Sequence, residues 1–272
     1  MPELPEVETV ARQLEPVLRG RTVRGLRILD PRLRAGTTPA VAGRTILFVG
    51  RSGKRVLMGF SPRGRDPGLW LAVHLRMTGR LRWTAGARDG APADPLRVRA
   101  RFDLDRGRLL FVDTRRLGTF DWYRSAAAAA PAGVEPLSAE LDLSRLRALT
   151  ADSRTPVKPW LLRQDRIVGI GNIYASEILH RAGVSPLREA RTLDDAELRR
   201  VLRGIRNVLG RAIEMCGTTF SDFQDARGEE GGFQRFLRVY DREEERCRRC
   251  GGTVRRIVQQ QRSTYYCSDC QD

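Results

Sequence analysis

The chain has 272 residues, enough for two or three domains with cores of their own. Its net charge of +16 and pI near 10.9 point to a polyanion, either nucleic acid or an anionic membrane. No apolar run of about eighteen residues occurs and the first residues are acidic, so neither a membrane span nor a secretory leader is expected. A cytoplasmic protein that handles nucleic acid is the better reading.

The chain opens Met1-Pro2-Glu3-Leu4-Pro5-Glu6. Met1 precedes a small residue, so processing is expected to leave Pro2 at the N-terminus with a free secondary amine. Such an amine attacks an electrophilic carbon and leaves a permanently charged iminium, a covalent strategy that amines share. Glu3 tethers a carboxyl group beside it, as acid–base catalysis requires. The same residues also read as an ordinary helix start. From Pro5 to Arg19 the apolar Val7, Val10, Ala11, Leu14, Val17 and Leu18 recur at helical spacing, and Gly20 ends the run.

From Arg21 to Tyr123 the pattern changes to short strands. They are expected near Thr22–Leu29, Ile46–Gly50, Arg55–Phe60, Leu69–Leu75, Arg80–Trp83, Arg97–Leu104, Leu109–Val112 and Thr119–Tyr123. Arg97–Leu104 alternates without a fault, as a half-solvated strand does. Eight strands at this spacing suggest an antiparallel sandwich or barrel. Ser125–Pro136, with its alanine run and two prolines, is the expected domain boundary.

Beyond it the pattern is helical. Helices are expected over Leu137–Leu149, over Lys158–Gln164, and from Asn172 to just before Gly183. A fourth is announced by Thr192-x-x-Asp195, a variant capping box, and is closed by Gly217. Thr218–Gly232 is polar, glycine-rich and long enough for a functional loop. In Gly169-Ile170-Gly171-Asn172 the glycines introduce a helix whose N-terminal amides attract phosphate, or they serve packing alone. Lys158 would be the second phosphate ligand there, against the simpler reading of a solvated surface lysine.

Of the 49 basic residues only Lys54 and Lys158 are lysine, and the other 47 are arginine. Arginine has taken nearly every place where either cation serves. The two lysines are therefore candidates for work that needs a compact cation able to give up its proton.

Cys247-x-x-Cys250 and Cys267-x-x-Cys270 have the spacing of a zinc site, and four thiolates suit one closed, tetrahedral, structural Zn2+. Disulfides are the alternative, disfavoured in a reducing compartment. The segment between the knuckles is expected to form a two-stranded hairpin with Gln259-Gln260-Gln261-Arg262 near its tip. Cys216 is read as a small buried hydrophobe, and His74 and His180 as structural. No redox or organic cofactor is expected.

Several stretches together resemble the bacterial formamidopyrimidine-DNA glycosylases. They are Met1–Thr9, His74-Leu75-Arg76-Met77-Thr78-Gly79, Asp113-Thr114-Arg115-Arg116, Lys158-Pro159-Trp160-Leu161, Gly169–Glu177, Gly217-Thr218-Thr219, and Gln261-Arg262 before the last CxxC. The resemblance runs in order from Met1 to Gln271. It implies an α+β multidomain fold. An N-terminal antiparallel β-sandwich flanked by helices would span 1–124, and a helix–two-turn–helix domain with a lesion-capping loop 137–232. A zinc finger carrying the β-hairpin would span 233–272.

The resemblance also implies excision of oxidised purines from duplex DNA, then strand cleavage, by a bacterial monomer that joins the nucleoid when bound to DNA. The target nucleotide is flipped out, at a cost of a few kcal/mol. Carried over by motif, Pro2 resembles the nucleophile at C1′, Glu3 the acid that helps open the sugar ring, and Lys54 a general acid. Lys158, Asn172 and Arg262 match residues that hold the phosphates flanking the lesion, with Arg262 counted among the catalytic set. Met77, Arg115 and Leu117 match the side chains that fill the gap left by the flipped base. Tyr240 is placed with the DNA contacts, and Glu6 and Glu177 support the site.

Three departures bear on lesion preference. Leu117 stands where the family usually has phenylalanine, Arg76 where glycine is usual, and Ser221 where some members carry a basic residue in the capping loop. An enzyme of the endonuclease VIII type, preferring oxidised pyrimidines, is the nearest alternative. A catalytically silent, zinc-dependent DNA-binding protein is the other.

Overall fold

The computed structural model describes residues 1–33, 38–62, 68–86, 95–219 and 224–272. Ser221 lies outside the described residues. The chain forms two compact units, Met1–Ala130 with Met215–Gly232, and Pro131–Glu214 with Phe233–Asp272. The segment after residue 214, expected with the helical domain, is thus grouped up to Gly232 with the first unit.

In the first unit, helix α1 (Leu4–Leu18) precedes eight strands among the described residues. These are β1 (Val23–Ile28), β2 (Ile46–Ser52), β3 (Arg55–Phe60), β4 (Leu69–His74), β5 (Gly79–Thr84), β6 (Val98–Leu104), β7 (Arg108–Asp113) and β8 (Thr119–Tyr123). They make two antiparallel sheets of order β1-β6-β7-β5 and β2-β3-β4-β8. The apolar stripe of α1, with Val7, Val10, Leu14 and Leu18 almost wholly buried, joins residues of both sheets in one core. This is the sandwich expected from the strand spacing, and β6 shows the expected alternation in its last five residues. A short helix, α2 (Ala126–Ala129), lies within the stretch read as a boundary, and the Ser125 hydroxyl caps it by accepting the Ala128 N–H.

The second unit holds α3 (Leu143–Thr150), α4 (Val157–Leu161), α5 (Asn172–Ala182), α6 (Asp195–Glu214) and the hairpin β9 (Val254–Gln259) and β10 (Arg262–Cys267). Helix α5 packs against α6 and β10. Four expectations are corrected here. The first helix begins at Leu143 rather than Leu137, because the Asp142 carboxylate accepts the Arg145 N–H and fixes the start six residues later. The second ends at Leu161 rather than Gln164, whose side chain instead accepts the Gly169 N–H. The capping box of α6 is Asp194 with Glu197, each carboxylate accepting the other's backbone N–H, and not Thr192 with Asp195. Cys216 is exposed rather than buried. It sits just beyond α6 at φ 57°, followed by Gly217 at φ 82°, where the chain turns sharply.

Candidate functional site

In the first unit the N-terminal residues are fixed by carboxylates. Met1 is exposed while Pro2 is buried, and Glu3 and Glu6 are 3% and 1% exposed. Glu3 and Glu6 form a reciprocal capping box at the head of α1. The Glu3 N–H donates to Glu6 Oε2 at 2.7 Å, and the Thr218 N–H donates to Glu6 Oε1 at 2.7 Å. Glu6 therefore spans from the second peptide bond to the start of the 218–232 segment. Gly217 belongs here for a steric reason, since a Cβ at this position would come within 2.7 Å of Glu6 Oε1.

Lys54 is 8% exposed, in the two-residue turn between β2 and β3. Gly53 takes φ 59°, as the first turn residue of a tight hairpin does. The neighbouring Arg55 anchors the hairpin by donating to Tyr123 Oη and the Ala129 carbonyl. His74 accepts the Arg76 N–H through Nδ1. Burial, with Arg76, Lys54 and Arg55 nearby, holds its pKa down to about 4, so it is neutral at pH 7 and has a structural part.

Met77, Arg115 and Leu117 are all exposed, on two adjacent loops. Both loops are tied to Asp113, which is 1% exposed. Its Oδ1 accepts the Thr78 hydroxyl and the Arg115 N–H, and its Oδ2 accepts the N–H groups of Leu117 and Gly118. From the other side, Arg116 makes a two-pronged pair with Asp30 at 2.6 and 2.7 Å. Arg76, where the resembling family has glycine, adopts φ 54°. That left-handed backbone is what glycine accommodates without strain.

In the second unit Lys158 is fully buried. This corrects the picture of a solvated surface lysine. Its Nζ donates to Asn172 Oδ1 and to the Ser263 carbonyl, and Asn172 Nδ2 donates to the same carbonyl at 3.0 Å. Lysine, N-terminus of α5 and hairpin strand are thereby joined next to Arg262, which is exposed. The hairpin turn uses Gln260 and Gln261 at φ 47° and 60°, an uncommon choice for non-glycine residues and one found where a side chain must be aimed. Glu177, 3% exposed, accepts the N–H groups of Arg238, Val239 and Tyr240. Burial pushes its carboxyl pKa up, and the three amide donors act against that rise. The Tyr240 ring packs edge-on against Tyr265 with centroids 5.1 Å apart.

The sulfurs of Cys247, Cys250, Cys267 and Cys270 all lie within 4.8 Å of one another. The pairs Cys247–Cys270 and Cys250–Cys267 are 3.8 and 3.5 Å apart. Tetrahedral zinc with bonds of about 2.3 Å sets its sulfurs about 3.8 Å apart, so the set fits one structural Zn2+. His180 Nε2 stands 3.3 Å from Cys247 Sγ. That contact, like the roles of Asp113 and Thr78, escaped the sequence reading. Asp113 lies inside a recognised motif, but nothing local marks it as the common acceptor of two loops.

Comparison with known proteins covers the whole chain. Residues 1–120 match the formamidopyrimidine-DNA glycosylase N-terminal domain, 132–224 the formamidopyrimidine-DNA glycosylase H2TH domain, and 244–272 the zinc finger found in FPG and IleRS. The formamidopyrimidine-DNA glycosylases of Pelotomaculum thermopropionicum and Chloroflexus aggregans are each 41% identical over 100% of this chain and 99% and 98% of their own. The crystal structure of the MutM (Fpg) protein of Thermus thermophilus superposes with a TM-score of 0.85 at 38% identity, covering 99% of this chain and 98% of that one. A Lactococcus lactis FPG mutant in complex with a Fapy-dG containing DNA superposes at 0.86 with 29% identity and full coverage of both chains. The chain belongs to the formamidopyrimidine-DNA glycosylase family and is a DNA glycosylase of base excision repair.

Proposed function

We propose that the chain excises oxidised purines, 8-oxoguanine and formamidopyrimidines, from duplex DNA and then cuts the strand by β,δ-elimination. In this reading Pro2 nitrogen attacks C1′ of the flipped nucleotide and the bond from C1′ to the base breaks. The base leaves with a proton supplied through Lys54, and Glu3 protonates the ring oxygen as the sugar opens. The resulting iminium acidifies C2′–H. Loss of that proton expels the 3′ phosphate, a second elimination expels the 5′ phosphate, and water releases the sugar remnant from Pro2.

Asn172 and Arg262 hold phosphates beside the lesion, and buried Lys158 braces both. Tyr240, set by Glu177, lies with them. Met77, Arg115 and Leu117 fill the vacated stack. Residues 1–124 would carry the chemistry, 137–232 the grip on DNA and the capping loop, and 233–272 the zinc finger. The working form is a cytoplasmic monomer on duplex DNA. The observation that carries the reading is the buried Pro2–Glu3 pair, with its backbone set by Glu6 at the head of α1.

Borohydride trapping on lesion duplex tests it. Processed protein should be linked through residue 2, and Pro2→Gly should abolish most of the link. Efficient turnover by protein that retains Met1 would sink the mechanism. A preference for oxidised pyrimidines stays in play because exposed Leu117 offers no ring to the base step, and a wild-type Lactococcus lactis FPG has been crystallised with an oxidised pyrimidine containing DNA. A panel of lesions separates the two.

A further inference from the structure

We infer that the second unit carries an additional anion site at the C-terminal end of α5, for a compact anion with at least two linked phosphates. A cavity of about 370 Å3 there is lined by His180 and by Arg181, Arg200, Arg203, Arg238 and Arg249. Its volume lies in the range of small-molecule sites. Asn172 begins α5 and His180 lies eight residues on, so the cavity sits about 12 Å along the helix from the proposed phosphate contact.

Two of the arginines are held in place by α5 itself. Arg249 Nη1 donates to the His180 carbonyl at 3.2 Å, and Arg200 Nε donates to the Ala182 carbonyl at 2.8 Å. The guanidinium groups of Arg181, Arg203 and Arg238 have no hydrogen-bond or ion-pair partner among the described residues, and these three arginines are exposed. Glu197 is 3.9 Å from Arg200 but is bound more closely by Arg188 at 3.0 Å, and the buried Glu177 acts electrostatically on Arg238. Five guanidinium forks against two carboxylates, one of them shared with Arg188, leave positive charge that a single phosphate does not balance. Paired phosphates match it and accept the forks two at a time.

Calorimetric titration of the zinc-loaded full chain with ADP and with pyrophosphate tests the site. One saturable event is expected for each, tighter than for orthophosphate. Arg203→Ala and Arg238→Ala should each weaken it roughly tenfold, whereas Arg262→Ala should leave it unchanged. Both arginines are exposed, so zinc content and far-ultraviolet circular dichroism should not move. The inference is overturned by any of three results. They are no saturable binding below about 1 mM, binding indifferent to both variants, or equal loss in Arg262→Ala, which would place the anion at the hairpin.

Discussion

The Thr78 hydroxyl donates to the Asp113 carboxylate, so the turn bearing Met77 and the loop bearing Arg115 and Leu117 hang from one buried group. Three side chains on two separate loops thereby share a single reference point. Asp113→Asn turns an amide donor toward the N–H groups of Leu117 and Gly118. The expected loss of stability is about 3 kcal/mol, from two hydrogen bonds to a charged acceptor, read by urea unfolding. Affinity for lesion duplex should fall further than trapping on DNA that already lacks the base. Unchanged stability would show that the carboxylate is dispensable.

Position 117 gives a second expectation. Base–aromatic stacking contributes about 1–3 kcal/mol, which Leu117 forgoes. Leu117→Phe should strengthen binding to lesion duplex and leave binding to abasic duplex nearly unchanged, because an abasic site has no base to hold out of the stack. Equal gains on both DNAs, or none on either, would remove this residue from the flipping step.

Lys158 and Arg262 should behave differently, although both are cations of one site. Arg262 is exposed, so Arg262→Ala should reduce the salt slope of log K by about 0.9. Lys158 is a buried brace, so Lys158→Ala should lower thermal stability and DNA affinity while leaving the slope near the wild-type value. A slope change for Lys158→Ala equal to that for Arg262→Ala would place the lysine on the DNA after all.

Removal of zinc should unfold the hairpin and spare the sandwich. Structural zinc contributes on the order of 10 kcal/mol in small domains, and the finger's own buried cluster is only Val239, Val254 and two of the cysteines, packed with Tyr265 and Cys270. Cys267→Ser should lose metal, measured by mass spectrometry, together with DNA affinity, while most far-ultraviolet circular dichroism persists. Full-affinity binding by metal-free protein contradicts this.

The Asp30–Arg116 pair predicts an acid dependence. The hydrogen bonds from Arg116 hold the Asp30 carboxyl at about 2, below the ordinary 3.8. A depressed native pKa adds stability above the unfolded value, and that stability is lost as pH falls from about 4 toward 2. Asp30→Asn should flatten the melting temperature across that window and change little above it. An unaltered profile would mean the pair adds nothing.

What was legible in the sequence was what local pattern encodes. The alternation of Arg97–Leu104 identified β6, and Gly171-Asn172 with Gly183 bracketed α5 to the residue. The errors arose where neighbouring residues compete for one role. Thr192 and Asp194 can both cap α6, and tertiary support from Arg188 to Glu197 selects the second. Leu137 and Leu141 are four residues apart and Leu146 and Leu149 three, each pair at helical spacing, yet the Asp142 cap separates the two pairs. His180 and Cys247 are separated by 67 positions, so only the folded chain shows their contact.

The hydrogen bond from Thr218 to Glu6 has a consequence for how the enzyme is made. It joins residues 212 positions apart, and the first compact unit is split in sequence by most of the second. During vectorial synthesis the sandwich strands leave the ribosome long before residue 218 exists. The carboxylate that sets the second peptide bond therefore waits for an amide made 212 residues after it. Long-range closures of this kind form late. A chain that stops before residue 218 would hold a folded sandwich whose N-terminus lacks this tie, so the proposed covalent capture of DNA should switch on only after that residue has been made.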